Sequence, residues 1–247
     1  MKIRFWIYPF IILMGIVLIL TGSCKKKEDN NTPSGNITDK AGNVYTSVII
    51  GMQTWLDKNL ITTKYNNGDI IVTTTPATLD ISNETTPEYQ WTYNGDESSV
   101  ASYGRLYTWY AVTDNRGICP TGWHVPTDAE WKTLEIGLGM TQAQADGTDW
   151  RGTDHGTELK STTMWQNNGN GTNLSGFNAV GCGSRDQTGD PFHDVSFWSY
   201  NWTATSTDAI TAWAHSVSYN FSGINRYNWN KGYGLSVRCI KDKPTGK

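Results

Sequence analysis

Residues Cys119 to Trp131 read CPTGWHVPTDAEW, and this stretch decides the fold because it announces a helix and fixes where that helix begins. Thr127 is placed to accept from the free N–H groups of a first helical turn. Glu130, three residues on, can reach back to the Thr127 backbone, which is the reciprocal arrangement of a capping box. Pro126 stiffens the approach. Trp131, Leu134 and Leu138 then fall at i, i+3 and i+7, giving the helix one apolar face to bury. Gly137 to Gly139 ends it. Cys119 and Pro120 form a rigid turn ahead of the helix, with the thiol available for a covalent tie. No nucleophile-and-base pair and no ligand cluster occurs in these thirteen residues, so the stretch speaks for fold and not for chemistry.

Working outward, Tyr103 to Asp114 predicts a first helix or helical turn that buries Leu106, Tyr107, Trp109 and Tyr110. Val44 to Ile50 is rich in β-branched residues, as an opening strand should be. Trp55, Leu56 and Leu60 follow as core contacts. Asn66 to Ser102 is polar, turn-rich and aperiodic, the mark of a functional or variable insertion. Gly147 to Thr162 reads as a polar connection and Asn167 to Gly176 as a turn region. Phe177 to Cys182, Val195 to Trp202, Thr211 to Tyr219 and Tyr233 to Lys241 read as strands separated by Gly, Asn and Asp turns, an antiparallel sheet of hairpins.

The motif CPTGWHVPTDAEW, together with YGRLYTWYAV (Tyr103 to Val112), GYGLSVRCIKD (Gly232 to Asp242) and DKAGNVYTSVIIGMQTWLDKNL (Asp39 to Leu60), resembles the Fibrobacter succinogenes major paralogous (FISUMP) domain family. The likeness runs from Asp39 to the C-terminus. It implies a single α+β, C-type-lectin-like domain, loop-rich, with two helices packed on antiparallel β-sheet, distantly similar to sulfatase-modifying-factor domains. It implies no activity. It also pairs Cys119 with Cys239 in a disulfide that would tie the start of the helix to the last strand. The sequence departs from the family at GCGSRD, where Cys182 occupies a position that is ordinarily not cysteine, and a buried, small, apolar side chain accounts for it.

The first residues form an address rather than a structure. Lys2 and Arg4 precede an apolar run from Phe5 to Leu20, and LTGSC, ending at Cys24, resembles a bacterial lipobox. The run is shorter than the roughly 20 residues of a membrane span, so residues 1–23 read as a lipoprotein signal peptide and Cys24 as the lipidation site. Residues 24–36 make a flexible tether, and 37–247 the domain. Lys27-Glu28-Asp29 resembles a surface-export signal, which places the protein at the outer membrane or cell surface, anchored to the membrane through lipid. Without the signal, 18 basic residues face 23 acidic ones, and no basic stripe is left for nucleic acid. Low charge, 25 glycines and 12 each of Trp and Tyr suit a loop-rich, aromatic-cored extracytoplasmic domain.

His124, His155, His193 and His215 show neither metal-ligand spacing nor a triad order, and no cofactor is expected. Arg185 to Asp194 (RDQTGDPFHD) repeats aspartate every four residues at Asp186, Asp190 and Asp194. Such a loop offers hard oxygen ligands, yet its spacing is not that of an EF-hand and a solvated turn explains it, so no metal is assigned. Trp55, Trp109, Trp123, Trp131, Trp165, Trp198 and Trp213 stand in core contexts. Trp91, Tyr93, Trp150, Trp202 and Trp229 lie outside them and, with Arg185 and the three aspartates, are the ligand-binding candidates. A flat indole covers the C–H face of a sugar and its N–H adds a polar handle. The expectation is a non-catalytic envelope lipoprotein binding a polysaccharide or surface glycan. The alternatives are a protein-binding adhesin or structural surface subunit, and an enzyme resembling sulfatase-modifying factors, whose chemistry would want a reactive cysteine pair.

Overall fold

A computed structural model describes residues 36–188 and 190–243; the signal, Cys24 and nearly all of the tether lie outside them. The helix promised by the sequence spans Asp128–Gly137, with both halves of the capping box in place. Glu130 N–H donates to Thr127 Oγ1 at 3.2 Å and Thr127 N–H donates to Glu130 Oε2 at 2.9 Å. Trp131 and Leu134 are buried, and so are Asp128 and Glu135, two carboxylates on the face that the periodicity reserved for apolar side chains. Among the described residues no other helix exceeds five residues. The Tyr103 to Asp114 segment is a two-residue strand, Leu106–Tyr107, followed by the short helix Trp109–Thr113.

The architecture is mixed α+β with antiparallel sheets. A six-stranded sheet runs in the order Phe192–Val195, Cys182–Arg185, Trp198–Ser206, Thr211–Ser218, Ile224–Asn230, Asp149–Arg151. Its pairings are antiparallel except where Ser199 meets Gly183 in parallel. Gly183 has φ +67°, and a Cβ there would collide with the His193 carbonyl, so glycine is needed where this strand closes on its neighbour. A second sheet joins Ser47–Ile50, Gln53–Leu56, Ile240–Lys241 and Trp123–His124. The Cys119–Cys239 disulfide ties the segment before the helix to the last strand across 120 residues. Cys182 is free and buried.

Alternation along Thr211–Ser218 divides the core into two. Ala214 sits in register with Trp202, Ser216 with Tyr200, and Ala212 with Ser206 beyond an irregularity in the ladder. This face is closed by Tyr107, Leu235 and Val237, and Trp202 Nε1 donates to the Tyr107 carbonyl at 2.8 Å. The opposite face, with His215 and Val217, packs with Trp131, Leu134, Phe177 and Ile224.

Several strands differ from expectation. Asp149–Arg151 and Ile224–Asn230 form in stretches too polar to read as strands. Phe177 to Cys182 is irregular, and the strand starts at Cys182. Most of Tyr233 to Lys241 crosses the sheet end through isolated bridges at Gly234, Leu235 and Ser236. That segment packs as filler between elements, so its apolar alternation does not require a continuous ladder.

Candidate functional site

The first face of the large sheet is roofed at its centre, and its outer part carries a continuous row of aromatic rings. The edge strand Asp149–Arg151 pairs with Ile224–Asn230 through Trp150 opposite Asn225, in line with Ser216 and Tyr200. This register puts Trp150, Tyr200 and the alternating Tyr227 and Trp229 on one face. Phe221 stacks on Trp150 at 4.2 Å and Trp150 meets Trp198 at 5.5 Å. Trp198 lies parallel to Tyr200 at 5.3 Å, and Tyr200 contacts Trp229 edge-on at 5.0 Å. Trp229 meets Tyr233 at 5.4 Å. Phe221 is 45% exposed and Tyr227 51%, Trp150, Trp198, Trp229 and Tyr233 are half-buried, and Tyr200, which links the two halves of the row, is buried.

The row has a polar margin. Tyr200 donates its hydroxyl to Asp194 Oδ2 at 2.9 Å. Burial, reinforced by the Asp194 charge, pushes that hydroxyl far above the usual tyrosine range, so it remains a neutral donor. The face therefore offers flat, wettable rings beside a fixed carboxylate and the half-buried Asn225 amide. Such a surface can cover the C–H faces of successive sugar units.

Trp150, Trp229 and Asp194 of the sequence candidates meet at this face, and Phe221, Trp198, Tyr227 and Tyr233 join them. Tyr93 stands apart, half-buried edge-on against Phe192 at 5.5 Å. Trp202 is fully buried and belongs to the core. Trp91 is 1% exposed, its Nε1 donating to Thr74 Oγ1 at 2.8 Å, so it is no platform either. Arg185 is wholly buried: its guanidinium lies 4.0 Å from the Trp91 ring centroid and donates to the carbonyls of Ala77, Leu79 and Asp186. Its work is to pin the Asn66 to Ser102 insertion to the sheet. Burial pulls its pKa down to about 10.

The three aspartates point to different partners. Asp186 accepts from Thr188 N–H and Oγ1 and lies 3.2 Å from His193 Nε2. Asp190 is exposed and Asp194 holds Tyr200. Among the described residues no group of three or more His, Cys, Asp or Glu side chains converges as a metal site would require.

Sequence reasoning passed over one cluster entirely. His215 lies between Glu135 Oε1, 2.6 Å from Nδ1, and Asp128 Oδ1, 3.1 Å from Nε2, and stacks on Trp131 at 5.1 Å. Arg151 pairs with Glu135 at 2.7 and 2.8 Å, and Arg226 with Asp128 at 2.6 and 2.8 Å. Burial alone would raise both carboxyls. His215 and the two guanidiniums outweigh it and hold both below the ordinary carboxylate range. The cluster is closed to solvent, and the cavity beside it is about 10 Å³, space for a single water. It staples helix to sheet.

The Fibrobacter succinogenes major domain model matches residues 48–241. The chain belongs to that family. No curated protein and no solved structure matches it. The matched span contains the aromatic row, the buried cluster and the disulfide, so membership in the Fibrobacter succinogenes major domain family extends to the whole scaffold that presents the row.

Proposed function

We propose that the chain is a non-catalytic binding protein of the cell envelope, held to the outer membrane or cell surface through lipid on Cys24, and that the aromatic sheet face holds a polysaccharide or surface glycan. The supporting observation is the row of partly accessible rings, Phe221, Trp150 and Trp198 on one side and Trp229 and Tyr233 on the other, in contact through the buried Tyr200. Rings in series suit a polymer with a repeating apolar face better than a single small molecule. The buried Asp128, Glu135 and His215 are spent on contacts with one another and with Arg151 and Arg226 inside the core.

The test is glycan-array binding of the full-length protein, repeated with Trp150→Ala and Trp229→Ala. Binding that survives chelation and falls at least tenfold in each variant is expected. A blank array across plant, host and bacterial polysaccharides would overturn the reading. The exposed Phe221 and Tyr227 favour one alternative, a protein partner on the same apolar patch, and a blank array with binding to a surface protein that Phe221→Ser abolishes would establish it.

A further inference from the structure

A second site lies away from the aromatic face. A cleft of about 340 Å³ opens between Asp57 to Ile61, Val100 to Gly104, and the segment holding Met164, Asn178 and Val180, a size within the range of small-molecule sites. Arg238 lines it. The guanidinium is completely buried and donates to the carbonyls of Leu56 and Phe177 and to Asn59 Oδ1, while Nε–H has no acceptor.

The other buried arginines place Arg238 in context. Arg105 and Arg151 also leave Nε without a partner, but each holds a carboxylate, Glu97 and Glu135, and Arg226 holds Asp128. Arg185 lacks a carboxylate and packs between the Trp91 and Phe192 rings with three carbonyls about it; Arg238 likewise lies 4.3 Å from the Phe177 ring centroid, but Nε of Arg185 has an acceptor where Nε of Arg238 has none. Arg238 alone among these five combines a missing carboxylate, an unsatisfied N–H and a place in the wall of an open cleft. Burial pulls its pKa down to about 10, so it stays charged at neutral pH. Asp57 in the same wall offsets the burial only in part and forms no ion pair with Arg238; a buried charge so weakly compensated is costly, and an incoming anion would relieve that cost.

The rest of the lining narrows the anion's chemistry. Lys58 is exposed at the cleft, its ammonium resting 5.1 Å from the Tyr45 ring centroid, and is a second cation in the lining. Asp57 spends both carboxylate oxygens on Thr46, accepting from its N–H and its hydroxyl. The exposed Ser102 and Asn178 offer hydroxyl and amide partners, and the half-buried Tyr103 an aromatic wall. Two cations fit a carboxylate, and the neutral polar groups fit the hydroxyls that a sugar carries.

We propose that this cleft binds an acidic sugar unit, a hexuronate whose carboxylate is held by the exposed Lys58 and attracted by the weakly compensated charge of Arg238 buried in the cleft wall. The sugar class rests on the glycan reading above, whereas the anion preference rests on the cleft alone.

The experiment is calorimetric titration of the full-length protein with galacturonate and glucuronate oligomers, with neutral oligomers of the same length, and with inorganic phosphate. Uronate oligomers should bind at least tenfold more tightly than neutral ones or phosphate. Lys58→Ala should weaken uronate binding at least tenfold, and Ala101→Trp, which fills the cleft from an exposed position, should abolish it. Trp150→Ala should leave it unchanged. Arg238→Lys is informative only where the variant folds, and Ala101→Trp decides in its place. Uronate binding that survives Ala101→Trp, or phosphate binding more tightly than uronate, overturns the proposal. Neutral glycans bound in a Trp150-dependent way with no uronate binding would sink the cleft and spare the aromatic face. Blank titrations with every ligand would sink both.

Discussion

Glu135 shows how a single buried side chain can carry the join between two elements. It is fully buried, 2.6 Å from His215 Nδ1, and bidentate to Arg151. Glu135→Ala would leave the Arg151 guanidinium buried without a counterion, and loss of one partner from such a pair costs about 3–5 kcal/mol; urea unfolding should show that loss, with Glu135→Gln milder. The same carboxyls set the acid limit. Asp128 and Glu135 are held below their unfolded values, which lie near 4, so at low pH the unfolded chain binds more protons than the native one. Stability is therefore complete above roughly pH 5 and declines as pH falls toward the native values. Chemical denaturation from pH 7 to pH 2 should give that slope, and Asp128→Asn should flatten it while lowering the plateau at neutral pH. The cluster was hard to read from sequence for a definable reason. Asp128 and Glu135 lie on the buried side of the helix, but its apolar periodicity is carried by Trp131, Leu134 and Leu138, and acids at neighbouring positions do not register in it. An acidic residue directly beside a core leucine, at i+4 from a core tryptophan, is the signal that was available.

Among the elements, the helix was legible because its start is written in local chemistry. Thr127 and Glu130 satisfy one another's backbone groups whatever the surroundings, and capping-box logic needs no tertiary knowledge. Thr127→Ala should cost about 1 kcal/mol, read as a lower urea midpoint with unchanged slope, and Thr127→Ser should restore most of it. The edge strands were illegible for the converse reason. Asp149–Arg151 carries two charges in three residues and becomes a strand because Ile224–Asn230 supplies a ladder to pair with. Ile224–Asn230 in turn alternates between a face that buries Arg226 against Asp128 and a face of Asn225, Tyr227 and Trp229. Its polar residues are inside and its aromatic ones half outside, which inverts the usual strand pattern. The candidate site shared that fate. Trp150 and Trp229 stood out because no core context claimed them, but Trp198 read as packing, and Trp202 and Trp91 look identical to surface residues until the cover over them is known.

At the scale of the whole molecule, a covalent tie joins two distant pieces of chain. The Cys119–Cys239 bridge spans 120 residues and joins the start of the capped helix to the strand that follows Arg238. In the chain-entropy model, closing a loop of that size contributes about 4–5 kcal/mol. The bridge shares an apolar cluster with Tyr200, against which Trp198, Trp229 and Tyr233 pack, but the row rests on strand register between Trp150 and Trp229, whereas Arg238 is the residue immediately before Cys239. The two surfaces should therefore respond differently to its removal. Cys119→Ala with Cys239→Ala should lower unfolding stability by about 4–5 kcal/mol, measured by urea denaturation against the oxidised wild type. In conditions where the double variant is still folded, binding through the aromatic row should persist, and uronate binding in the cleft should weaken, because Arg238 loses the covalent anchor beside it. Equal loss at both surfaces would show that the bridge holds the fold as a unit, with no local part in placing Arg238.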